Sequence, residues 1–449
     1  MRRTLTSLLL LALGGCAYPF TPPALAPVTQ PSAGATGAAL PVPPIPSARL
    51  SPYATTSMTG VATDAPVTIL VSIDGFRPDY LDRGMTPTLN ALRAGGVAAS
   101  MRPSFPSITF PNHWTLVTGL RPDRSGIVAN SFEDPRRPAE RFTMQASDPF
   151  WWGEAEPLWV TAERAGIRTA TMFWPGADVA WGATEKGAHD MWKGGIRPED
   201  WQQFNQSVTG VQRVNTVLDW MRRPAAIRPR FVTLYFDTVD TAGHDFGPDD
   251  PRTTQAAADV DRSIGMLVDG LRTLGVRANL VIVSDHGMAA TSTTRSIALD
   301  GLVPGVALRT TETGAIAGLY PPAGQETAIA RQLVGKHEHM QCWQRDAIPA
   351  RFRYGRNPRV ATIVCLADVG WRIVTTAPTT PRTGGSHGYD NDAPEMRALF
   401  IANGPAFQPG KQLATFDNVD VAPLLRDLIG LPAGAGLDGT DAPFRKVMR

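Results

Sequence analysis

The sequence lacks a surplus of either charge. Its 43 Lys and Arg stand against 41 Asp and Glu in 449 residues, a formal net charge of +2 at pH 7. It has no sustained run of Lys or Arg. That excludes a groove binding a nucleic-acid duplex through bulk electrostatics, so an anionic substrate must have its charge met locally. Long apolar runs are missing too. The leucine-rich stretch at residues 8–13 is too short to cross a bilayer as a helix. Cysteine and histidine are scarce, with three and seven residues. Each imidazole beside a carboxylate can therefore be weighed on its own.

The amino terminus reads as an export signal. Arg2 and Arg3 precede the leucines, and the run ends in Leu13-Gly14-Gly15-Cys16. That ending resembles a bacterial lipoprotein signal, with residues 1–16 as the leader and Cys16 as the lipidated thiol; a plain secretory signal is the alternative. Residues 17–65, rich in Pro, Ala, Ser, Thr and Gly, are too poor in large apolar residues to bury a core and read as a tether. The expectation is a soluble domain held by lipid at a bacterial cell envelope, facing the periplasm or on the cell surface. Export also permits a disulfide between Cys342 and Cys365, with two buried thiols as the alternative.

From about residue 66 short apolar runs alternate with helix-like segments, the pattern of an α/β sheet covered on both faces. Strands are predicted at 67–73, 167–173, 231–236, 279–284 and 398–402. Val260, Ile264, Leu267, Val268, Leu271 and Leu274 mark one face of a helix over 255–274, with Gly275 as its stop.

Residues able to hold a metal follow these strands. Asp74 comes after the first, Asp240 and His244 after the third, and Asp285 and His286 after the fourth. Ligands of open α/β sheets bind at the carboxyl ends of strands, so these side chains are expected on one edge. His387, in the glycine-rich loop GGSHGYDN, completes the set. In SFPSITFPNHWTLVTG, Pro111 suits a first helical turn and puts Thr109 at or just before a helix N-terminus. Thr109 there is either an N-cap or a metal-activated nucleophile, and spacing alone favours the cap.

The blocks VSIDGFRPDYL, PSITFPNHWTLVTGLRPDRSGIVAN, VDTAGHDFGP, VSDHGM and GSHGYDN occur in the order that marks the nucleotide pyrophosphatase/phosphodiesterase family, whose members this chain resembles from about 66 to 445. The resemblance implies an alkaline phosphatase-like α/β fold: a central, mostly parallel sheet flanked by helices. It makes 305–380 a smaller α+β insertion on the sheet edge that walls the active site. It implies two Zn²⁺ per chain, with Asp240, His244 and His387 on one and Asp74, Thr109, Asp285 and His286 on the other. Thr109 becomes the nucleophile and Asn130 a contact to a phosphoryl oxygen. Phe110 and Tyr235 fall where the family places aromatic residues around a nucleobase. His113 is a structural helix residue, and His189, His337 and His339 carry no catalytic role. The implied activity is hydrolysis of nucleotide phosphodiesters and pyrophosphates to nucleoside 5′-monophosphates through a phosphothreonine intermediate. The alternatives are a non-nucleotide phosphoester or phosphonate as substrate, or a degenerate zinc-binding envelope lipoprotein.

Overall fold

The computed structural model describes residues 65–187 and 191–449. The leader, Cys16, the tether up to residue 64 and His189 lie outside the described residues.

Six strands run in one direction: β1 (Val67–Ile73), β2 (Val97–Arg102), β3 (Thr169–Met172), β4 (Asp200–Trp201), β5 (Phe231–Phe236) and β6 (Ala278–Val283). One long strand, β7 (Ala398–Asn403), runs against them between β2 and β6. The order across the sheet is 411–412, β2, β7, β6, β1, β5, β3, β4, with 416–417 also beside β2. Every residue of β1 and β5 is buried. Helices cover both faces, so these strands read as continuous apolar runs rather than alternating ones. Register positions the ends: Ile73 lies opposite Phe236, and Ser72 opposite Val283. Asp74, Asp237 and Ser284 therefore leave the sheet side by side.

The helix expected over 255–274 spans Pro251–Thr273. It starts earlier because Asp250 caps it, accepting from the Arg252 N–H at 2.9 Å, with Pro251 in the first turn. The segment VDTAGHDFG is a helix, Thr238–Phe246, that begins two residues after β5. GGSHGYDN also differs from expectation. Its first part, Thr383–Ser386, is a strand paired antiparallel with Ala289–Ser292. Main-chain pairing overrides the loop-like composition, and the glycines have a steric reason. A Cβ on Gly385 would lie 2.5 Å from the Gly243 carbonyl oxygen and 2.8 Å from Met288 Sδ; one on Gly384 would lie 2.4 Å from the His244 carbonyl oxygen. Only bare backbone lets this strand lie against the Thr238–Phe246 helix, and that approach delivers His387 to Asp240 and His244.

Within 305–380, the strands at 309–312, 316–320, 335–337, 340–344 and 363–367 form a separate five-stranded antiparallel sheet, joined by the helix Glu326–Leu333. None of them pairs with the large sheet. Cys342 and Cys365 face each other on adjacent strands and are joined by a disulfide. Among the described residues no helix is long and apolar enough to cross a membrane.

Gly385→Ala is expected to cost about 2 kcal/mol, because the Gly243 carbonyl belongs to the helix backbone and cannot retreat. Gly301→Ala, where a Cβ meets open space, should change stability by less than about 0.5 kcal/mol. Urea unfolding of the two variants measures this, and equal effects would contradict the close-approach argument.

Candidate active site

Asp74 leaves β1 with its backbone still in the ladder, its N–H donating to the Phe236 carbonyl at 2.9 Å. Its Oδ2 accepts from the Tyr235 hydroxyl at 2.6 Å. Its buried Oδ1 has no hydrogen-bond partner and lies 3.5 Å from His286 Nε2. Asp285 and His286, beyond β6, are fully buried. Asp285 Oδ1 accepts from the Gly75 N–H at 3.2 Å, and its Oδ2 lies 2.9 Å from His286 Nε2. The Thr238–Phe246 helix carries Asp240 and His244 one turn apart, with Asp240 Oδ2 3.4 Å from His244 Nε2. His387 Nε2 lies 3.0 Å from His244 Nε2 and 3.5 Å from Asp240 Oδ1, and its ring stacks on His286 at 3.5 Å. The residues expected to ligate metal are thus brought to one place.

Thr109 is not a cap. It is the first residue of the helix Thr109–Thr118, Ile108 is the N-cap residue, and no side chain caps that end. The Thr109 Oγ1 instead sits 3.2 Å from His286 Nε2. The next open backbone donor, Phe110 N–H, is met by Asn130 Oδ1 at 2.9 Å. That bond assigns the Asn130 amide oxygen to the helix and leaves its NH₂ group as the donor for the cavity.

Each ligand-type imidazole is held by a carbonyl. Nδ1 of His244 bonds the Gly385 oxygen at 3.0 Å, that of His286 the Gly287 oxygen at 2.9 Å, and that of His387 the Ser107 oxygen at 3.2 Å. A carbonyl only accepts, so each Nδ1 carries hydrogen and each neutral ring presents an Nε2 lone pair to the shared space. Burial, then Asp285 and Asp240, push the Asp74 carboxyl well above the usual range. Burial also raises Asp240, against the pull of His244 and His286. Burial opposes ionisation of Asp285, but His286 and His113 outweigh it and hold this carboxyl well below its usual value. Burial together with His286 and His244 depresses the His387 imidazole. Buried acceptors without enough hydrogens to share fit cations.

Two groups of side chains lie close enough to share an ion, Asp240 with His286 and His387, and Asp74 with His113 and Asp285. This division differs from the expected one at three histidines: His286 stands with Asp240 and His387, His244 is in neither group, and His113 joins Asp74 and Asp285. His113 has both nitrogens engaged, Nε2 with Ser72 Oγ at 2.8 Å and Nδ1 with the Thr109 carbonyl at 2.9 Å, so it is a support rather than a ligand. His286 faces both groups, and its shortest contact, to Asp285, attaches it to the second.

Beside these groups opens a cavity of about 510 Å³. Phe110, Trp152, Trp174 and Phe204 supply its aromatic surface, with Asn130, Asp178 and Asp237 among its polar groups. Among the described residues no Lys or Arg lines it. Tyr235 borders the cavity with its hydroxyl committed to Asp74. No lining residue comes from 305–380, which differs from the expected wall; five strands of that segment form a sheet of their own, and Arg372–Val374 pairs with Ser296–Ala298. The walls come from 144–152, 173–178 and 202–206. Trp174 and Phe204 were missing from the sequence reading. Trp174 follows a strand predicted from sequence, so the strand-end rule would have found it had it not been confined to metal-binding residue types; Phe204 follows the two-residue strand Asp200–Trp201, which leaves no apolar run to read.

Comparison with known proteins bears on the same residues. The family model described as type I phosphodiesterase / nucleotide pyrophosphatase matches residues 68–390. An uncharacterised pyrophosphatase/phosphodiesterase of Schizosaccharomyces pombe is 37% identical over 385 residues, covering 81% of this chain and 77% of that protein. Rat ectonucleotide pyrophosphatase/phosphodiesterase family member 1 is 34% identical over 82% of this chain, which spans 41% of the rat protein's length. Murine ectonucleotide pyrophosphatase/phosphodiesterase 5, solved as an inactive threonine-to-alanine variant in complex with AMP, superposes with a TM-score of 0.79. Its identity is 32%, and the match covers 86% of this chain and all of that one.

Tyr235→Phe removes the donor that orients Asp74. Divalent-metal affinity is expected to fall roughly ten- to hundredfold, measured by competition with a chelator. Unchanged affinity would show that this hydroxyl does not orient a ligand.

Proposed function

The chain belongs to the type I phosphodiesterase / nucleotide pyrophosphatase family, and from that premise we propose that it cleaves nucleotide phosphodiesters and pyrophosphates to nucleoside 5′-monophosphates. Thr109 is the nucleophile, and two Zn²⁺ per chain are the cofactors. The observation that carries this reading is the position of Thr109 Oγ1, at a helix N-terminus and 3.2 Å from an imidazole of the carboxylate–histidine cluster.

The donor set suits zinc, since imidazole with carboxylate favours it over the all-oxygen cages of magnesium and calcium. Asp240, His244 and His387 hold one ion; Asp74, Thr109, Asp285 and His286 hold the other. When bound, the pair supplies positive charge to the attacking and leaving oxygens of an in-line displacement. The Thr109 oxygen forms a bond to phosphorus as the bond to the leaving alcohol or phosphate breaks. Water then cleaves the phosphothreonine and frees the nucleotide. The Asn130 amide donates to a non-bridging oxygen as charge builds there. The N-terminal end of the Thr109–Thr118 helix favours the same anion through the helix dipole. Phe110 and Tyr235, with Trp174 and Phe204 across the cavity, offer rings to the base.

The cavity's charge supports a diester. A monoester dianion calls for extra cations around its terminal oxygens, and the lining contains carboxylates but neither Lys nor Arg. The AMP held by the murine relative is a product of the class this reading expects. Cys16 anchors the enzyme by lipid to a bacterial envelope membrane, with the catalytic domain, 66–445, carried on the tether.

Thr109→Ala with unchanged zinc content is expected to lower kcat/KM on p-nitrophenyl thymidine monophosphate by roughly a thousandfold or more. Chelation should abolish turnover in the parent enzyme, and p-nitrophenyl phosphate should be a poor substrate. An active Thr109→Ala enzyme would refute the nucleophile. Cys16→Ala should move the full chain from the membrane to the soluble fraction, and membrane retention would refute the anchor.

A further inference from the structure

Glu312 is a carboxylate that the reaction scheme above does not use. It ends the first strand of the insertion, Arg309–Glu312, and reaches under the loop that carries Asn130. Its Oε2 accepts from the Asn130 N–H at 3.3 Å, and the carboxylate also accepts from the Ser131 N–H. With Ser131, Thr311, Tyr354 and Arg359 it lines a small space of about 20 Å³, room for one water.

Among the described residues no cation pairs with this carboxylate. Arg359, the nearest guanidinium in the lining, is spent on Asp134 and on the carbonyls of Gly126, Phe150 and Trp151. The Tyr354 hydroxyl donates to the Val128 carbonyl. At the outer part of the strand Arg309 pairs with Glu133, and Arg141 donates to the Thr310 carbonyl. Glu312 is therefore met by the two backbone donors of the Asn130 loop alone. Burial pushes its carboxyl up to about 7, against the pull of those donors.

We propose that Glu312 is a positioning residue for the phosphoryl transfer, through which the insertion sets the placement of Asn130. Asn130 is held at both ends. Phe110 N–H fixes its amide oxygen, and Glu312 fixes its backbone. An uncompensated buried carboxylate destabilises the fold, whereas a neutral acceptor would serve a purely structural contact at less cost. The charge strengthens the two backbone bonds, and a displacement of about 1 Å at a group that meets the transition state costs on the order of a hundredfold in rate. The insertion contributes no residue to the cavity lining, so it reaches the chemistry through the Asn130 loop; Tyr354 and Arg359 hold that loop at Val128 and Gly126, and Glu312 holds Asn130 itself. The inference rests on the role proposed for Asn130.

The test compares wild type, Glu312→Gln, Asn130→Ala and the double variant as zinc-loaded full chains, on a nucleotide diester. Glutamine imitates the protonated acid. In alkaline buffer Glu312→Gln should lower kcat about tenfold with little change in KM and no loss of thermal stability. The carboxyl's value lies above the usual one, so it is neutral at acid pH and charged only above about 7. The ratio of wild-type to Glu312→Gln kcat/KM should thus fall towards unity as pH drops through that value; ionisations common to both enzymes cancel in the ratio. In the Asn130→Ala background the Glu312→Gln loss should vanish. A ratio that is flat with pH, or an undiminished loss in that background, overturns the role of Glu312 while leaving Asn130 in place. Wild-type activity in Asn130→Ala overturns the reading of Asn130 itself, and this inference with it.

Discussion

Three carbonyl groups, those of Gly287, Gly385 and Ser107, fix the chemistry of this site by what they accept. Each takes the Nδ1 hydrogen of one histidine, and each ring is left with a lone pair on Nε2 facing buried aspartates. Two such nitrogens, on His244 and His387, stand 3.0 Å apart. Lone pairs and carboxylates do not gather in a buried space without a positive charge to share. The rest of the molecule is arranged to bring those rings and carbonyls together.

The sheet does most of this through register. β1, β5 and β6 end flush, so Asp74, the helix holding Asp240 and His244, and the Asp285–His286 pair emerge from neighbouring strands. His387 arrives from about 140 residues beyond His244, directly after the short strand Thr383–Ser386, whose glycines let main chain touch main chain. Gly75 matters for the same reason. Its φ is +67°, and a Cβ there would lie 3.0 Å from Asp240. Sequence distance between ligands is thus immaterial, whereas the bulk of the residues between them and the helix is decisive.

What could be read from the sequence follows from the strength of each local signal. The buried strands were legible because both faces are covered, which writes continuous apolar runs into the chain; VTILVSI and FVTLYF form strands with the bounds read from sequence. The residues that converge at the site were legible because histidine is scarce and stands beside carboxylates at strand ends. Backbone conformation at those ligands was not. VDTAGHDFG has the composition of a turn but forms a helix, and GGSH has that of a loop but enters a ladder. Both outcomes are decided by packing against each other, which no local window contains. Thr109 is ambiguous in sequence for a related reason: a cap and a nucleophile share the same helix-end address, and the cap is ruled out only by the structure, where Ile108 takes the N-cap position and the Thr109 hydroxyl turns to His286. The cavity walls went unread because Trp174 and Phe204 carry no metal-binding group, and the link from Glu312 to Asn130 joins residues far apart in the chain.

The central claim is that these side chains hold two ions beside the Thr109 oxygen. Anomalous diffraction at the zinc edge, from crystals of the zinc-loaded catalytic domain, tests it most directly. The account predicts two peaks about 4 Å apart, one among Asp240, His244 and His387, the other among Asp74, Asp285 and His286 with the Thr109 oxygen beside it. A single peak, or two peaks with His387 turned away or Thr109 remote from both, would contradict it.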